Sequence, residues 1–422
     1  MHFFHTLKNV IPFILPFAIP FSRSVADICV VLIAILFLCK SYFQNKWDWI
    51  KESWFKFAII FFLYCIFINT PLSVDSFTSL QYSIFFLRWP LFALALSYWI
   101  LNDFKSLKNF LVATFFVCLF LTFDTWYQYI FGVDIFGLEK HNPTRLTGPF
   151  SGPHIGMWLT KLIILPIFLF TIIKEYKNFL KNKFSPLIFF IFFTVFLFTI
   201  FITGERMAFL MTILSIFTVL FGLILSKNIS VLKMLYFLFF ISIAIYLFSF
   251  IDPQQTQRGI YSSIKMITNW SNNGYTIVWK SAYDVWLANP WFGAGLHKYR
   301  EACELLGIYG TFENPIAGGV CFHPHNISMQ LLSETGIVGF ILFFTMVISL
   351  SIRLLKASFI KKDWLLYFLI LNVLIACFLP IQSNTDFFSN KYSSLVWLLV
   401  GVSFGLCRYI ENIKNSPHSD QS

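Results

Sequence analysis

Twelve apolar windows recur along this chain, and a run of about 20 residues almost free of charge has few stable solutions other than a helix across a bilayer. The windows lie at approximately 8 to 22, 25 to 39, 54 to 70, 81 to 101, 109 to 131, 154 to 174, 184 to 203, 207 to 226, 231 to 251, 336 to 355, 363 to 380 and 391 to 409. Composition agrees: 58% of residues are hydrophobic and 12% charged, with a mean hydropathy of +0.73. That leaves too little polar surface to clothe a soluble globule. The 56 Phe read as lipid-facing filler rather than as an aromatic binding box. The expected fold is an all-α membrane protein with about twelve transmembrane helices. Its first two windows are the weakest, because Pro12, Pro16 and Pro20 interrupt them and Arg23 divides them; a re-entrant hairpin or a signal anchor is the alternative there.

Basic residues resist translocation, so their distribution over short loops orients the chain. One face carries 19 Lys and Arg, from Lys8 to Lys414 and including Lys174, Lys177, Lys181, Lys183 and Lys361; the other carries Arg23, Lys140, Arg145, Arg206 and Lys391. Both termini are therefore expected in the cytosol. The formal net charge of +11 follows from this asymmetry, and a nucleic-acid partner has no basic domain to bind. The expected organisation is a membrane bundle of about nine spans over 1–251, a hydrophilic loop with amphipathic helices over 252–335, further spans over 336–410, and a disordered cytosolic tail over 411–422. A loop of that size is usually functional.

Six of the eight cysteines fall in or beside spans; Cys303 and Cys321 alone lie in the outside loop. In an oxidising compartment these two are expected to pair, and closing about 18 residues gains roughly 3 kcal/mol in the chain-entropy picture. No Cys and His spacing suggests a zinc site, so no metal is expected.

Charges within spans are costly and are functional candidates by default. Arg88, Asp124 and Lys161 each lie seven residues from the outer end of a span, about 10 Å deep at the helical rise. A shared depth predicts a shared cavity open to the outside. An Asp124 to Lys161 ion pair would leave Arg88 without a partner and the cavity positive. Arg206, in TGERMAF, opens the eighth span from the same side, where a salt bridge to Glu205 is the alternative to an anion contact. Arg258, Lys265, Lys280, Lys298 and Arg300 add cations to the loop. HPHN at 323 to 326, followed by ISMQLLSETGIVGF, predicts an amphipathic helix at the bilayer surface, begun by Pro324, with Asn326, Gln330 and Ser333 on its polar face. A histidine beside that start can accept a proton from a hydroxyl near neutral pH. No D-x-D pair, serine elbow or phosphate loop accompanies it.

These residues resemble the O-antigen ligase and polymerase superfamily of polytopic glycan-transfer proteins. His325 and Asn326, nine intervening residues, then Gly336 and Gly339 are similar to its signature after the large loop. The stretch from Asp124 to Gly148 with Gln128, Gly132, Asp134 and Arg145, the TGERMAF segment, and NPWFGAGLHKYR at 289 to 300 are similar as well. The resemblance implies transfer of a glycan from undecaprenyl diphosphate to an acceptor such as lipid A core, at the periplasmic face of a bacterial inner membrane and without cofactor or metal. It assigns His325 as the base that activates the acceptor hydroxyl and Arg206 as a diphosphate ligand. Arg258, Arg300, Arg88 and Lys161 are further diphosphate candidates; His323, Asn326, Glu334 and Asp124 are supporting candidates. The family's arginine four residues ahead of a loop Trp is Tyr275 here, before Trp279. The second phosphate contact then falls to Arg258, Lys280 or Arg300. Glycan polymerase, protein O-oligosaccharyltransferase and anion transporter are the alternatives. A transporter should carry midplane charges and inverted repeats, whereas these charges gather at one face and no repeat is visible.

Overall fold

Short polar residues that cannot continue an apolar run start many of the helices. Asp103 accepts the Ser106 N–H at 2.9 Å ahead of Phe104–Phe131, and Asp363 accepts that of Leu366 at 3.1 Å ahead of Trp364–Phe378. Such caps satisfy helix-end donors that the bilayer cannot. The computed structural model describes residues 2–173, 185–269, 274–308, 320–321, 323–360, 362–380 and 385–415. Lys174, Lys177, Lys181, Lys183 and Lys361, used above for orientation, and the tail beyond 415 lie outside the described residues.

Among the described residues nine helices are long and apolar enough to cross a bilayer, with three shorter apolar helices at Ser53–Asn69, Pro186–Ile202 and Trp364–Phe378. The fold is an all-α membrane bundle. The first two windows form separate continuous helices, His2–Phe21 and Arg23–Gln44, parted at Ser22. Two windows are broken rather than straight. Ser76–Phe85 ends before Arg88–Ala95, which finishes in a π-turn over Leu96–Ile100. Ile155–Leu162 is followed by two short pieces, Ile164–Ile167 and Leu169–Ile172, the first of which contains Pro166, a residue with no backbone N–H to continue the helix ladder.

Trp54, Trp99, Trp158 and Trp397 are fully buried at the helix interfaces. Arg206–Leu225 packs on Trp364–Phe378, and Ile327–Ser358 packs on Ser53–Tyr64. Val231–Ile251 buries only Phe237 and Ile241 and leaves Phe240 65% and Ile251 75% exposed, which suits a lipid-facing surface. At the end of the bundle away from the long loop, Arg353 holds Glu411 through two bonds of 2.7 and 2.9 Å and reaches Glu52 at 3.2 Å. This clamp carries Asn390–Asn415 past residue 411, so the first residues of the expected tail are helical.

The loop between the ninth and tenth windows contributes Pro253–Thr256, Ser262–Thr268, Gly274–Ala288 and Tyr299–Leu305, and a disulfide joins Cys303 to Cys321. Ile327–Ser358 begins at Asn326, whose Oδ1 accepts Ser328 N–H at 2.9 Å and Met329 N–H at 3.1 Å; Pro324 stands outside the helix rather than in its first turn. The helix is interrupted at Gly336, with φ +65° and ψ −174°. The 289 to 300 segment docks into that interruption. Ile337 N donates to Pro290 O at 2.9 Å, Ala294 N to Ser333 O at 2.9 Å and Gly295 N to Glu334 O at 2.8 Å. A side chain at Gly336 would meet the Trp291 and Phe292 backbone, so glycine is required by both conformation and space. The polar face expected at the bilayer surface is therefore internal: Gln330 and Ser333 are buried.

Candidate functional site

Three loops that are far apart in sequence converge at the long-loop end of the bundle, and each is fixed by polar side chains of a helix end. Asp124 Oδ1 accepts the Ile135 N–H at 2.9 Å, and Gln128 Oε1 accepts those of Thr147 and Gly148, both at 2.9 Å. Asp134 closes the intervening turn through Phe136 and Leu138. The loop so shaped donates Leu146 N to Thr203 O at 3.1 Å, which sets Arg145 beside the turn before Arg206. In that turn Gly204 has φ +70°, and a Cβ there would run into the Thr144 carbonyl oxygen. Its own carbonyl accepts the Arg258 Nε–H at 2.9 Å.

Glu205 does not pair with Arg206. Its carboxylate turns to the start of Ile155–Leu162 and accepts Gly156 N–H at 2.6 Å and Met157 N–H at 3.2 Å. An acid placed there satisfies helix-end donors and complements the helix dipole.

Between these elements lies a cleft lined by Arg145, Lys161, Arg206 and Arg258, together with His154, Glu205, Tyr275 and His325. No carboxylate among the described residues forms an ion pair with any of the four cations. Burial, and then the charges of Arg145 and Arg206, lower the Arg258 pKa to about 10. Burial, followed by nearby Lys391 and Arg145, lowers that of His154 to about 4, so its ring is neutral at pH 7. Glu205 is pushed up to about 7 by burial, against the opposing pull of the two amide bonds and of Arg145 and Lys161. The cleft thus presents several cations to one negative charge at most, an environment for a multiply charged anion.

His325 enters this cleft from the residue before the Asn326 cap, in the left-handed region at φ +51°. A non-glycine residue is held there only by its surroundings. Asn326 supplies that hold: besides capping the helix, its Nδ2 donates to Pro380 O at 2.7 Å. Tyr275 lies edge-on to the histidine, ring centroids 6.5 Å apart.

Of the residues singled out from sequence, Lys161, Arg206, Arg258 and His325 meet in the cleft. Arg88 does not. Its guanidinium donates to Asn390 Oδ1 at 2.8 Å, pairs with Asp27 at 3.3 Å and stacks over Trp89, so the inference that it lacks a partner is corrected. Asp124 neither pairs with Lys161 nor lines the cleft; it shapes the loop that presents Arg145. Arg300 and His323 belong to a neighbouring cavity. Glu334 accepts the His297 N–H at 3.0 Å and supports the docked segment. The roles of Arg145, His154 and Glu205 escaped the sequence reading, although Arg145 stood within a quoted motif. The positions of Arg145 and Glu205 depend on contacts across more than 40 residues, for which only the glycine at 204 was a signal.

Residues 188–344 match the family model described as O-Antigen ligase. The matched region includes Arg206, Arg258, Tyr275, His325 and the Gly336 interruption. Arg145, His154 and Lys161 lie before it. No curated protein matches the chain.

Proposed function

We propose that this member of the O-antigen ligase superfamily transfers a glycan from undecaprenyl diphosphate to an acceptor hydroxyl, as a ligase acting on lipid A core at the periplasmic face of the inner membrane. The observation that carries this reading is the cleft where Arg145, Lys161, Arg206 and Arg258 stand beside His325 without a carboxylate ion-pair partner among the described residues. In the reaction, the acceptor oxygen forms a bond to the anomeric carbon as the bond from that carbon to the diphosphate oxygen breaks. The acceptor proton passes to His325, and the electron pair leaves with undecaprenyl diphosphate. A sugar hydroxyl is a poor nucleophile until a base accepts its proton. Fixed cations around the departing diphosphate stabilise charge as it grows, and they cost least when already oriented. The Gly204 turn supports this reading, since its carbonyl holds Arg258 and it leads directly into Arg206, and Arg145 and Lys161 line the same cleft.

The deciding experiment is a deletion strain whose lipopolysaccharide is resolved by electrophoresis. Loss of the long-chain ladder with carrier-linked polymer retained is the expected ligase result. A band of core with a single repeat would instead identify a polymerase. An unchanged ladder would remove the transferase reading.

A further inference from the structure

A transfer that releases a diphosphate constrains where the moving sugar lies: its anomeric carbon stands between the cations that hold the leaving group and the base that takes the acceptor proton. Tyr275 lines the cleft and neighbours both groups. Its ring centroid is 6.5 Å from that of His325, with the two planes at 84°. It also stands close enough to Arg258 for their charges to interact. Among the described residues that line the cleft, Tyr275 has the only benzene ring.

The fold holds this ring on a rigid element. Val278, Ala282 and Val285 recur at helical spacing and are buried, and Gly274–Ala288 packs against Ile327–Ser358, the helix that His325 and Asn326 precede. Ser281, on the same face, accepts the Val320 N–H at 2.9 Å. Tyr275 lies one turn ahead of this anchored face and is half-buried, with Trp279 tilted against it at 6.4 Å between centroids. The ring and the base are thus presented by two helices that pack on each other.

As the bond to the diphosphate oxygen lengthens, positive charge grows on the anomeric carbon and its ring oxygen before the acceptor oxygen completes the new bond. The cations that stabilise the departing diphosphate repel that charge. The Glu205 carboxylate is engaged by the Gly156 and Met157 amides. An aromatic face attracts positive charge through its quadrupole, with no bond formed and no proton taken.

We propose that Tyr275 is the donor-sugar contact of the cleft, its ring lying against the sugar attached to the diphosphate and stabilising the positive charge that develops at the anomeric carbon. The inference rests on the transferase reading above and adds to it a residue that acts on the sugar rather than on the phosphates.

The test uses the full-length protein in lipid nanodiscs, with undecaprenyl-diphosphate-linked glycan and rough-type lipopolysaccharide from the source strain as substrates. Farnesyl diphosphate, which carries no sugar, is the competitor. Tyr275→Phe keeps the ring, and its single-turnover rate should stay within about threefold of the parent. Tyr275→Leu loses the ring and should lower that rate about 5- to 30-fold, with the farnesyl diphosphate inhibition constant unchanged. Replacing Tyr275 by phenylalanines that carry one, two and three fluorines keeps the shape while weakening the negative face in steps, and the rate should fall in the same order. A merely structural role would not follow the number of fluorines, so a flat series overturns the proposal. Weaker inhibition of Tyr275→Leu by farnesyl diphosphate also overturns it, because the contact would then be to the phosphates. Either result, with transfer by the wild-type protein, leaves the transferase reading intact. No transfer by the wild-type protein overturns both.

Discussion

At the scale of single residues, the proposed reaction divides the cleft's work between a base and a set of cations, and substitutions should separate the two. His325→Ala is expected to leave the protein inserted and folded while slowing transfer by roughly 100 to 10,000-fold, the usual contribution of a positioned base. His323→Ala should cost less, because His323 faces the neighbouring cavity. Arg206→Ala should reduce transfer and weaken donor binding together, since a diphosphate contact exists in the ground state and strengthens later. Titration of initial rates against donor concentration checks all three, and normal turnover by a well-expressed His325→Ala protein would return this histidine to a structural role. Glu205 gives the cleft a pH dependence. Its carboxyl, pushed up to about 7 by burial, is mostly protonated at pH 6 and mostly ionised at pH 8. Protonation removes the negative charge lining the cleft, so farnesyl diphosphate should bind more tightly as pH falls through 7, by a few-fold to about tenfold for one nearby charge. Glu205→Gln should lose that part of the pH dependence; an identical pH profile in the variant would exclude Glu205 as its source.

At the scale of elements, the motifs of the sequence are explained by one joint. NPWFGAGLHKYR and the His-Asn-Gly-Gly spacing are separate in the chain, yet the first docks in the interruption that Gly336 makes in the second. Gly336→Ala would place a Cβ against the Trp291 and Phe292 backbone in a conformation that only glycine adopts readily. A cost of order 1–3 kcal/mol or more is expected. Hydrogen exchange at Ala294 and Gly295 should then rise sharply while exchange in Asn390–Asn415 stays slow. Equal protection at Ala294 and Gly295 in the variant would show that the joint does not depend on this residue. The same joint marks where sequence reasoning succeeded and where it stopped. Arg206 and His325 were legible because each sits where a polar motif meets an apolar helix. Arg88, Asp124 and Lys161 were wrongly grouped because equal depth fixes position along a helix axis and says nothing about which way a side chain faces. The partners that settle it, Asp27 and Asn390 for Arg88 and the Ile135 amide for Asp124, come from other helices or a folded loop. The recurrence of apolar windows carried the helical membrane fold, but the breaks near Arg88 and at Ile163 left no comparable trace in hydropathy.

At the scale of the whole molecule, the proposed mechanism requires that the cleft open on one side of the membrane and that the Arg353 clamp lie on the other. Arg145, Arg206, Arg258 and His325 converge at one end of the bundle, whereas Arg353, Glu52 and Glu411 hold the opposite end. The excess of basic residues in the short loops at the Arg353 end leads us to expect that end in the cytosol, because each Lys or Arg resists translocation. In the proposed reaction, a carrier-linked glycan displayed outside would then reach His325 without crossing the bilayer again. A reporter active only in the cytosol, fused after Lys227, should give signal, and the same reporter fused after Asn269 should give none; a reporter active only outside should give the reverse. Cytosolic signal at Asn269 would turn the cleft away from its substrate and sink the proposed reaction, however well the cations and the histidine are arranged.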